Sequence, residues 1–308
     1  MGQKKNITKA ITATNDLARG AVRRLKGDRK DGKLMRDLDS LHFVTGVIYP
    51  DRCDNEAYIS ELIDLTAVNE YLEKKNYEGI EYKYNFFQVV VTALLKMITV
   101  RPKMNRFIVN GNFYQRNEVS AAFVVKKLFA DNAPEALAFI HSKDTDNIDT
   151  IHQSIYDQVS FCRSDQIDSS TDSMDFFNSI PRFVSKALLR TVMALDKQGI
   201  VPSSLIETDP YYSSCVISNL GSLKLNSGYH HLTNWGTCSI FCIIGDIKER
   251  PFFNKDGSFE MRPSVELGFT IDERLADGYY YAKSINLLKY VLEHPELLEQ
   301  PLSAPIEM

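Results

Sequence analysis

The sequence has 308 residues and lacks several features that would assign a protein directly to a functional class. No apolar run approaches 18 residues, so we expect no membrane-spanning helix. The five cysteines form no C-x-x-C pair, which argues against a disulfide framework and against a zinc ribbon. Free thiols in a reducing cytoplasm are the expectation.

Other signatures are missing as well. No His, Cys, Asp and Glu residues have the spacing of metal ligands, and there is no phosphate loop of the Gly-x-x-x-x-Gly-Lys type. The net charge is −4, so the chain as a whole lacks the excess of positive charge that is typical of nucleic-acid-binding proteins. We therefore expect no metal and no nucleic-acid partner.

Positive charge is concentrated at the N-terminus, where residues 1–36 hold eleven Lys and Arg against three Asp. Residues 7–25 carry a helical pattern with a narrow apolar face and basic residues elsewhere. This pattern favours a solvated basic arm that packs on the body or on a neighbouring subunit. The alternative is a helix that lies on a membrane surface.

Strands and helices alternate along the rest of the chain. Alternating apolar residues predict strands at 41–49 and 57–65, and further strands are predicted at 106–109, 112–116, 120–128, 214–218, 238–247 and 264–271. Helices are predicted over 67–75 with Thr66 as cap, from Asn85 to Val100, and over 149–162, 181–197 and 279–293. We predict a polar loop at 163–174. The helix at 181–197 carries Arg182, Lys186 and Arg190 on one solvated face.

No internal repeat is evident. We predict one α/β domain over residues 34–299, preceded by the basic arm at 1–33 and followed by a short tail at 300–308.

Two short motifs carry the chemical information. Asp272-Glu273-Arg274-Leu275-Ala276-Asp277-Gly278 lies between a predicted strand and a predicted helix. Cys215-Val-Ile-Ser-Asn-Leu-Gly221 ends an earlier strand. Pro102-Lys103-Met104-Asn105 and the strand exit Ile243–Pro251 complete the pattern, and the order and spacing of these pieces are more specific than any one of them.

Together these segments resemble the CoA-dependent acyltransferases, which include the chloramphenicol acetyltransferases and the catalytic domains of dihydrolipoyl acyltransferases. The resemblance covers most of residues 40–295. It implies an α/β two-layer sandwich, a mixed sheet with helices on one face. It also implies a homotrimer with active sites between subunits, where CoA and the acyl acceptor enter from opposite sides.

The resemblance also implies roles for individual residues. Ser218 matches the serine that stabilises the oxyanion, within the context of Asn219 and Gly221. Asp277 matches the motif aspartate, which in the family holds the local backbone through an arginine contact. Arg274 and Gly278 match structural positions of the motif, with an ion pair expected for the arginine and a turn into the last helix for the glycine. No residue is assigned to the binding of CoA.

Glu273 stands where the family has its catalytic histidine. A glutamate has an ordinary pKa of about 4.3 against about 6.5 for histidine, so it is a weaker base. Burial in a dry channel would raise that pKa and restore the role. Pairing with Arg274 would make Glu273 a structural carboxylate instead, and the flanking charges favour this alternative.

His230 or His231 is a further candidate base, facing Glu273 from a neighbouring subunit. Adjacent histidines on a strand point in different directions, so at most one of them would serve.

Three functions remain open from the sequence. The first is a stand-alone acyltransferase that moves an acyl group from acyl-CoA to a small thiol, hydroxyl or amine. The second is a non-catalytic trimer, a pseudoenzyme that binds CoA, an acyl ligand or a protein partner. The third is a peripheral membrane protein that uses the arm and the helix at 181–197. We expect no lipoyl domain, and therefore no role as a standard core subunit of a 2-oxo acid dehydrogenase complex.

Overall fold

A computed structural model describes residues 25–126, 135–163 and 179–307. Within these ranges the strands form two sheets. The strands are β1 (Gly32–Leu34), β2 (Glu56–Asp64), β3 (Arg106–Val109), β4 (Asn112–Arg116), β5 (Val119–Lys126), β6 (Glu135–Ser142), β7 (Cys215–Asn219), β8 (Ile240–Ile244), β9 (Lys248–Phe253) and β10 (Phe259–Asp272). The helices are α1 (Ser40–Ile48), α2 (Thr66–Lys75), α3 (Phe86–Val100), α4 (Ile148–Arg163), α5 (Arg182–Lys197), α6 (Ser203–Thr208) and α7 (Gly278–Glu293).

The larger sheet has the strand order β2-β10-β8-β7-β5-β6, and β9 pairs with the first part of β10. Strand β7 runs parallel to both β5 and β8, and the other pairs are antiparallel. The smaller sheet has the order β1-β4-β3. The mixed sheet covered by helices confirms the predicted fold class.

The main core lies between one face of the large sheet and the helices α2, α3, α4 and α7. Cys215 and Ile217 of β7 point into this core, as do Leu267 and Phe269 of β10. A second, smaller cluster covers the other face, which we call the outer face. It contains Ala122, Phe139, Val216, Leu232, Cys238, Phe241 and Ile243.

A segment after β7 crosses the outer face close to the strands. A Cβ atom added at Gly268 would lie 2.1 Å from the carbonyl oxygen of Gly228, and one added at Gly245 would lie 2.5 Å from the backbone nitrogen of Ser227. Backbone atoms cannot move aside as a flexible side chain can, so both strands require glycine at these positions. The crossing segment (residues 225–232) carries both candidate histidines.

Most predicted elements are present, but the strand predicted at 41–49 is wrong. This segment is α1, because the Asp39 side chain accepts a hydrogen bond from the His42 backbone N–H at 3.1 Å and caps a helix. The alternating apolar residues suggested one buried face, yet only Gly46 of the helix is buried. The cap predicted at Thr66 is also misplaced, since Asp64 Oδ1 accepts from the Thr66 backbone N–H and hydroxyl.

The helix α3 begins as predicted at Asn85. The Asn85 side chain accepts a hydrogen bond from the Phe87 backbone N–H, and the Gln88 side chain accepts one from the Asn85 backbone N–H at 2.8 Å. Strands β1, β6 and β9 and the short helix α6 were not predicted. The arm residues 7–25 lie almost entirely outside the described residues, as does most of the loop predicted at 163–174. The domain limits remain predictions; at the C-terminal limit, Leu302 is fully buried in the main core.

Candidate active site

The motif begins where β10 ends, at a buried ion pair. Asp272 is fully buried, and Arg274 is 4% exposed. Arg274 Nε and Nη2 donate to Asp272 Oδ1 and Oδ2 at 2.8 and 2.7 Å, a two-pronged contact. Arg274 Nη1 donates to the Tyr49 carbonyl after α1. The expected ion pair of Arg274 is therefore present, with Asp272 as its partner.

A second buried arginine supports the same carboxylate. Arg52 Nε lies 3.7 Å from Asp272 Oδ2, and Arg52 Nη1 donates to the Thr233 carbonyl at 2.7 Å. Burial lowers the pKa of Arg52, and the charge of Asp272 opposes this shift. The two arginines join the end of β10 to the loops before β2 and after the crossing segment.

Glu273 does not join this buried pair. Its backbone N–H donates to the Asn55 carbonyl at 2.9 Å, while the residue itself is exposed. Within the described ranges its carboxylate makes no hydrogen bond or ion pair. The alternative that Glu273 is a carboxylate paired with Arg274 is wrong, because Asp272 occupies that guanidinium.

Asp277 has a different partner from the one the resemblance implied. Its side chain accepts from the Tyr280 backbone N–H at 2.8 Å and caps α7. The arginine contact expected for Asp277 is made by Asp272. Gly278 is the first residue of α7, and it has neither a positive φ nor a neighbour within 4 Å of an added Cβ.

An open groove of about 800 Å³ lies beside the motif, and we call it the motif groove. Glu273, Asp277 and Gly278 line it on one side, and Tyr49 and Asn55 line it on another. Three more carboxylates contribute to its wall: Asp54, Glu56 and Glu61. The groove wall is therefore acidic, since the buried Arg274 is already paired, although Lys289 Nζ pairs with Glu61 at 2.7 Å.

Ser218 lies at the end of β7 and is half-buried. Its position in the strand alternation places it on the outer face with Val216. The next residue, Asn219, accepts from the Ser222 backbone N–H at 3.2 Å and starts a tight turn. A Cβ at Gly221 would lie 2.3 Å from the Gly245 carbonyl oxygen, which explains the glycine in this motif.

A second groove, of about 690 Å³, lies at the carboxyl ends of β7 and β8, and we call it the aromatic groove. It combines aromatic rings with cations from four parts of the chain: Tyr82, Lys83, Phe86, Phe87, His152, Tyr156, Arg163, Asn219, Ser222 and Lys224. Two carboxylates, Glu81 and Asp246, also line it, and Lys224 Nζ lies 3.5 Å from Asp246. The N-terminus of α3 opens into this groove.

The two histidines lie on the crossing segment. The His230 ring stacks on Phe241 with centroids 4.2 Å apart, and its Nδ1 lies 2.8 Å from the His231 carbonyl. His231 is exposed, with Nδ1 2.8 Å from the Leu232 carbonyl. The Glu56 carboxylate accepts from the Leu232 N–H, so it holds this segment against β2.

Strand register separates Ser218 from Glu273 within one chain. Ser218 is level with Ile243 on β8 and with Gly268 on β10, and Glu273 lies five residues further along. With strands about 4.8 Å apart and a rise of about 3.4 Å per residue, their Cα atoms are about 19 Å apart. His230 is closer to the serine, because the Cα of Phe241 lies about 8 Å from that of Ser218 by the same geometry.

Sequence reasoning missed three residues that build the site. Asp272 was considered only as a flanking charge, although its place at the end of an alternating strand is a signal for a buried residue. Arg52 and Glu56 carry no motif, and only the register of β2 with β10 reveals their contacts. The described residues hold no group of three or more His, Cys, Asp or Glu that could bind a metal ion. Likewise, none of their helices is long and apolar enough to cross a membrane.

Residues 203–299 match the family model of the 2-oxoacid dehydrogenases acyltransferase (catalytic domain). This range contains Ser218, both histidines and the whole motif. The fold agrees with solved acyltransferases. A probable dihydrolipoamide acetyltransferase from Listeria monocytogenes 4b F2365 superposes with a TM-score of 0.54 at 14% identity, covering 88% of this chain and 96% of that one.

The chain has the fold of the CoA-dependent acyltransferases. The dihydrolipoamide acetyltransferase of Azotobacter vinelandii, in which a serine, a histidine and an asparagine were investigated for roles in catalysis, superposes with a TM-score of 0.55 at 11% identity. The superposition covers 86% of this chain and 94% of the Azotobacter vinelandii chain. A chloramphenicol acetyltransferase gives a TM-score of 0.50 at 11% identity, with coverage of 85% and 99%. The resemblance inferred from the motifs is confirmed.

Proposed function

We propose that this protein is a CoA-dependent acyltransferase whose active site forms between two copies of the chain. The observation that carries the proposal is the position of Glu273, an unpaired carboxylate on the wall of an open groove at the family's catalytic position. Family and fold support a catalytic domain of acyltransferase type; the donor, the acceptor and the assembly described below are parts of the proposal.

Spacing supports the assignment of Ser218 and Glu273. In the enzyme from Azotobacter vinelandii the investigated serine precedes the histidine by 52 residues, and the asparagine follows the histidine by four. Here Ser218 precedes Glu273 by 55 residues, and Asp277 follows Glu273 by four. Glu273 therefore takes the place of the histidine, and Asp277 that of the asparagine.

The aromatic groove suits the acyl-CoA donor. Lys83, Arg163 and Lys224 are cations that attract the phosphates, and the rings of Tyr82 and Tyr156 offer a stacking surface for the adenine. The groove ends beside Asn219, next to Ser218. A donor that passes from this groove around the end of β7 onto the outer face brings its thioester carbonyl to the Ser218 hydroxyl, which donates a hydrogen bond to the developing oxyanion.

The motif groove then receives the acceptor. Because Ser218 and Glu273 of one chain are about 19 Å apart, Glu273 must come from a second copy to meet the same substrate. A trimer with three equivalent interfaces, as the resemblance implies, satisfies this requirement.

A glutamate base favours an amine as the acceptor. A carboxylate is a much weaker base than a thiolate, so taking a proton directly from a thiol is strongly uphill. A neutral amine instead attacks the thioester carbon first and becomes a more acidic ammonium. Glu273 accepts that proton, the C–S bond breaks, and CoA leaves as its thiolate; Glu273 then gives the proton to this thiolate and returns to its charged form. The acidic wall of the groove also suits a basic acceptor.

The test is release of CoA from a panel of acyl-CoA donors with amine, hydroxyl and thiol acceptors, including dihydrolipoamide. We expect turnover with an amine, and we expect Glu273→Gln to lower kcat/KM about 10²- to 10⁴-fold. The exposed Glu293, which does not line the groove, provides a matched control: Glu293→Gln should leave kcat/KM unchanged. If Glu273→Gln and Glu293→Gln have the same kcat/KM, Glu273 is not the catalytic base.

A second candidate function is a non-catalytic member that binds CoA without turnover. The absence of a histidine from the motif favours it, since neither His230 nor His231 lies on the motif itself. Calorimetry with CoA separates the two functions. Binding that is weakened by Lys83→Glu, together with no turnover for any acceptor class, would establish the non-catalytic function.

A further inference from the structure

The helix α5 is poorly covered by the rest of the described chain. Of its sixteen residues only Ser185 and Asp196 are buried. Six large apolar side chains are exposed: Phe183, Val184, Leu188, Leu189, Met193 and Leu195. Phe183 is 77% exposed. A helix that packs only on its own domain buries its apolar residues, so this one has a face with no partner in the described structure.

Part of the apolar surface of α5 is separated from its cations around the helix, although Phe183 lies beside Arg190 and Met193 lies among the cations. Val184, Leu188 and Leu195 follow each other at i, i+4 and i+11, which places them in one stripe. Arg182, Lys186, Arg190 and Lys197 form a second stripe at i, i+4, i+8 and i+15. The helix is therefore amphipathic along its whole length, and both stripes are exposed.

The charge exposed on α5 is of one sign. Its single acidic residue, Asp196, is buried and accepts a hydrogen bond from Arg29 Nη2 at 2.8 Å. The four remaining charges are cations, and Lys30 adds a fifth next to the helix end by donating to the Val201 carbonyl at 2.7 Å. This contrasts with the chain as a whole, which carries a net charge of −4.

We infer that α5 docks the protein on an anionic lipid bilayer. A helix lying in the headgroup layer buries its apolar stripe among the acyl chains while its cations reach anionic headgroups. The exposed cations of α5, which form no ion pair within the described residues, complement anionic headgroups, and the apolar stripe complements the acyl chains. Nucleic acid would account for the cations but not for Phe183 and the exposed leucines.

The test is sedimentation of the full chain with vesicles of phosphatidylcholine alone or mixed with phosphatidylglycerol, at low and high salt. We expect binding only to the mixed vesicles and weakening by salt, because anionic headgroups provide the attraction. Binding of equal strength to neutral vesicles, or no binding to either, overturns the inference.

Charge and apolar variants locate the binding surface. Arg182→Glu, Lys186→Glu and Arg190→Glu combined should weaken binding about a hundredfold, since each cation near the membrane strengthens it about fivefold. The same charge change at Lys33, Lys74 and Lys255, which are exposed elsewhere, is the control and should cost much less. Phe183→Ser should weaken binding, whereas Phe253→Ser, at 73% exposure, should not.

Deletion of residues 1–24 distinguishes membrane binding by α5 from membrane binding by the basic arm. Binding that survives the deletion and is lost in the α5 variants supports the inference. Binding that is lost on deletion and unchanged in the α5 variants assigns the membrane contact to the arm and overturns it. A Phe183→Trp variant provides a second readout, because a Trp in the acyl region is quenched by brominated lipids.

Discussion

Asp272 and Arg274 form the structural centre of the motif, and Arg274 also lines the motif groove. The two-pronged contact orients the turn that presents Glu273 to the groove, and Arg52 adds positive charge to the same carboxylate. A buried ion pair contributes little compared with an apolar pair of the same shape, but removing one partner leaves an unpaired charge. The motif therefore depends on both residues being present.

Substitution of one partner of this pair should be costly. We expect Arg274→Met to lower the free energy of unfolding by about 3–5 kcal/mol, because Asp272 would lose its two-pronged partner in a buried site. Arg262 pairs with Asp64 and Glu260 at the surface, so Arg262→Met should cost no more than about 1 kcal/mol. Urea unfolding of both variants measures the difference, and similar losses would contradict a buried role.

His152 makes the contact between α4 and the segment before α3 sensitive to pH. Its ring stacks on Tyr84 with centroids 3.9 Å apart, and its Nδ1 is buried without a hydrogen-bond partner. Burial lowers the pKa of His152, while Asp149 opposes and Lys75 adds to this shift. The unfolded chain therefore binds a proton at higher pH than the folded chain does.

Stability should consequently fall as the pH drops below about 6.5, the pKa of an unperturbed histidine, toward the lowered pKa of the folded state. We expect His152→Phe to lose less of its free energy of unfolding between pH 7 and pH 5 than the wild type. His42 is paired with Asp39 at the surface, so His42→Phe is the control. Identical pH slopes for the wild type and His152→Phe would refute this assignment.

At the scale of elements, the crossing segment decides how the outer face is built. It carries His230 and His231 over β8 and β10, and two glycines in these strands allow its backbone to approach closely. The segment also brings His230 near β7, since this ring stacks on Phe241 and the Phe241 backbone pairs with Val216. Its position is therefore important for any substrate that reaches Ser218.

Adding a single methyl group should show how tight this crossing is. We expect Gly268→Ala to lower the free energy of unfolding by about 2 kcal/mol or more, because its Cβ would lie 2.1 Å from the Gly228 carbonyl oxygen. Gly278→Ala is the matched control, since nothing lies within 4 Å and the residue is helical. It should be neutral or add up to about 1 kcal/mol. Thermal and urea unfolding together check the prediction, and a neutral Gly268→Ala would show that the segment can move away.

At the scale of the whole molecule, the two halves of the proposed site belong to opposite ends of one sheet. The aromatic groove and Ser218 lie at the carboxyl ends of β7 and β8, while Glu273 follows the carboxyl end of the antiparallel β10. Antiparallel neighbours end at opposite edges of a sheet, so no adjustment of side chains in one chain can bring these residues together.

Mixing two inactive variants should therefore restore activity. Chains with Ser218→Ala and chains with Glu273→Gln, each inactive alone, should form mixed trimers in which about a quarter of the interfaces combine an intact Ser218 with an intact Glu273. We expect about a quarter of the wild-type kcat after coexpression. Light scattering should show three times the chain mass of 35.1 kDa. A mixture that stays inactive while its trimers form would show that the two residues do not share a site.

The local pattern of the sequence determined much of this protein. The capping box at Asn85 is an interaction between residues close in the chain, so the helix that starts there was predicted from the chain alone. The order of the motifs was sufficient to predict the acyltransferase fold. Segment 41–49 was wrongly predicted to be a strand because its alternating apolar residues suggest a buried face. The Asp39 side chain, which caps the first turn at His42, makes it a helix.

Only the tertiary structure decided which carboxylate Arg274 binds. Asp272, Glu273 and Asp277 are all close to Arg274 in sequence. In the structure Asp272 is buried at the end of β10 and binds Arg274, Glu273 is exposed, and Asp277 caps α7. The structure also decided that Ser218 and Glu273 are far apart in one chain, because strand register is set by long-range pairing rather than by local sequence. The motif thus predicted the acyltransferase fold, and the geometry of the sheet defines how its residues can work together.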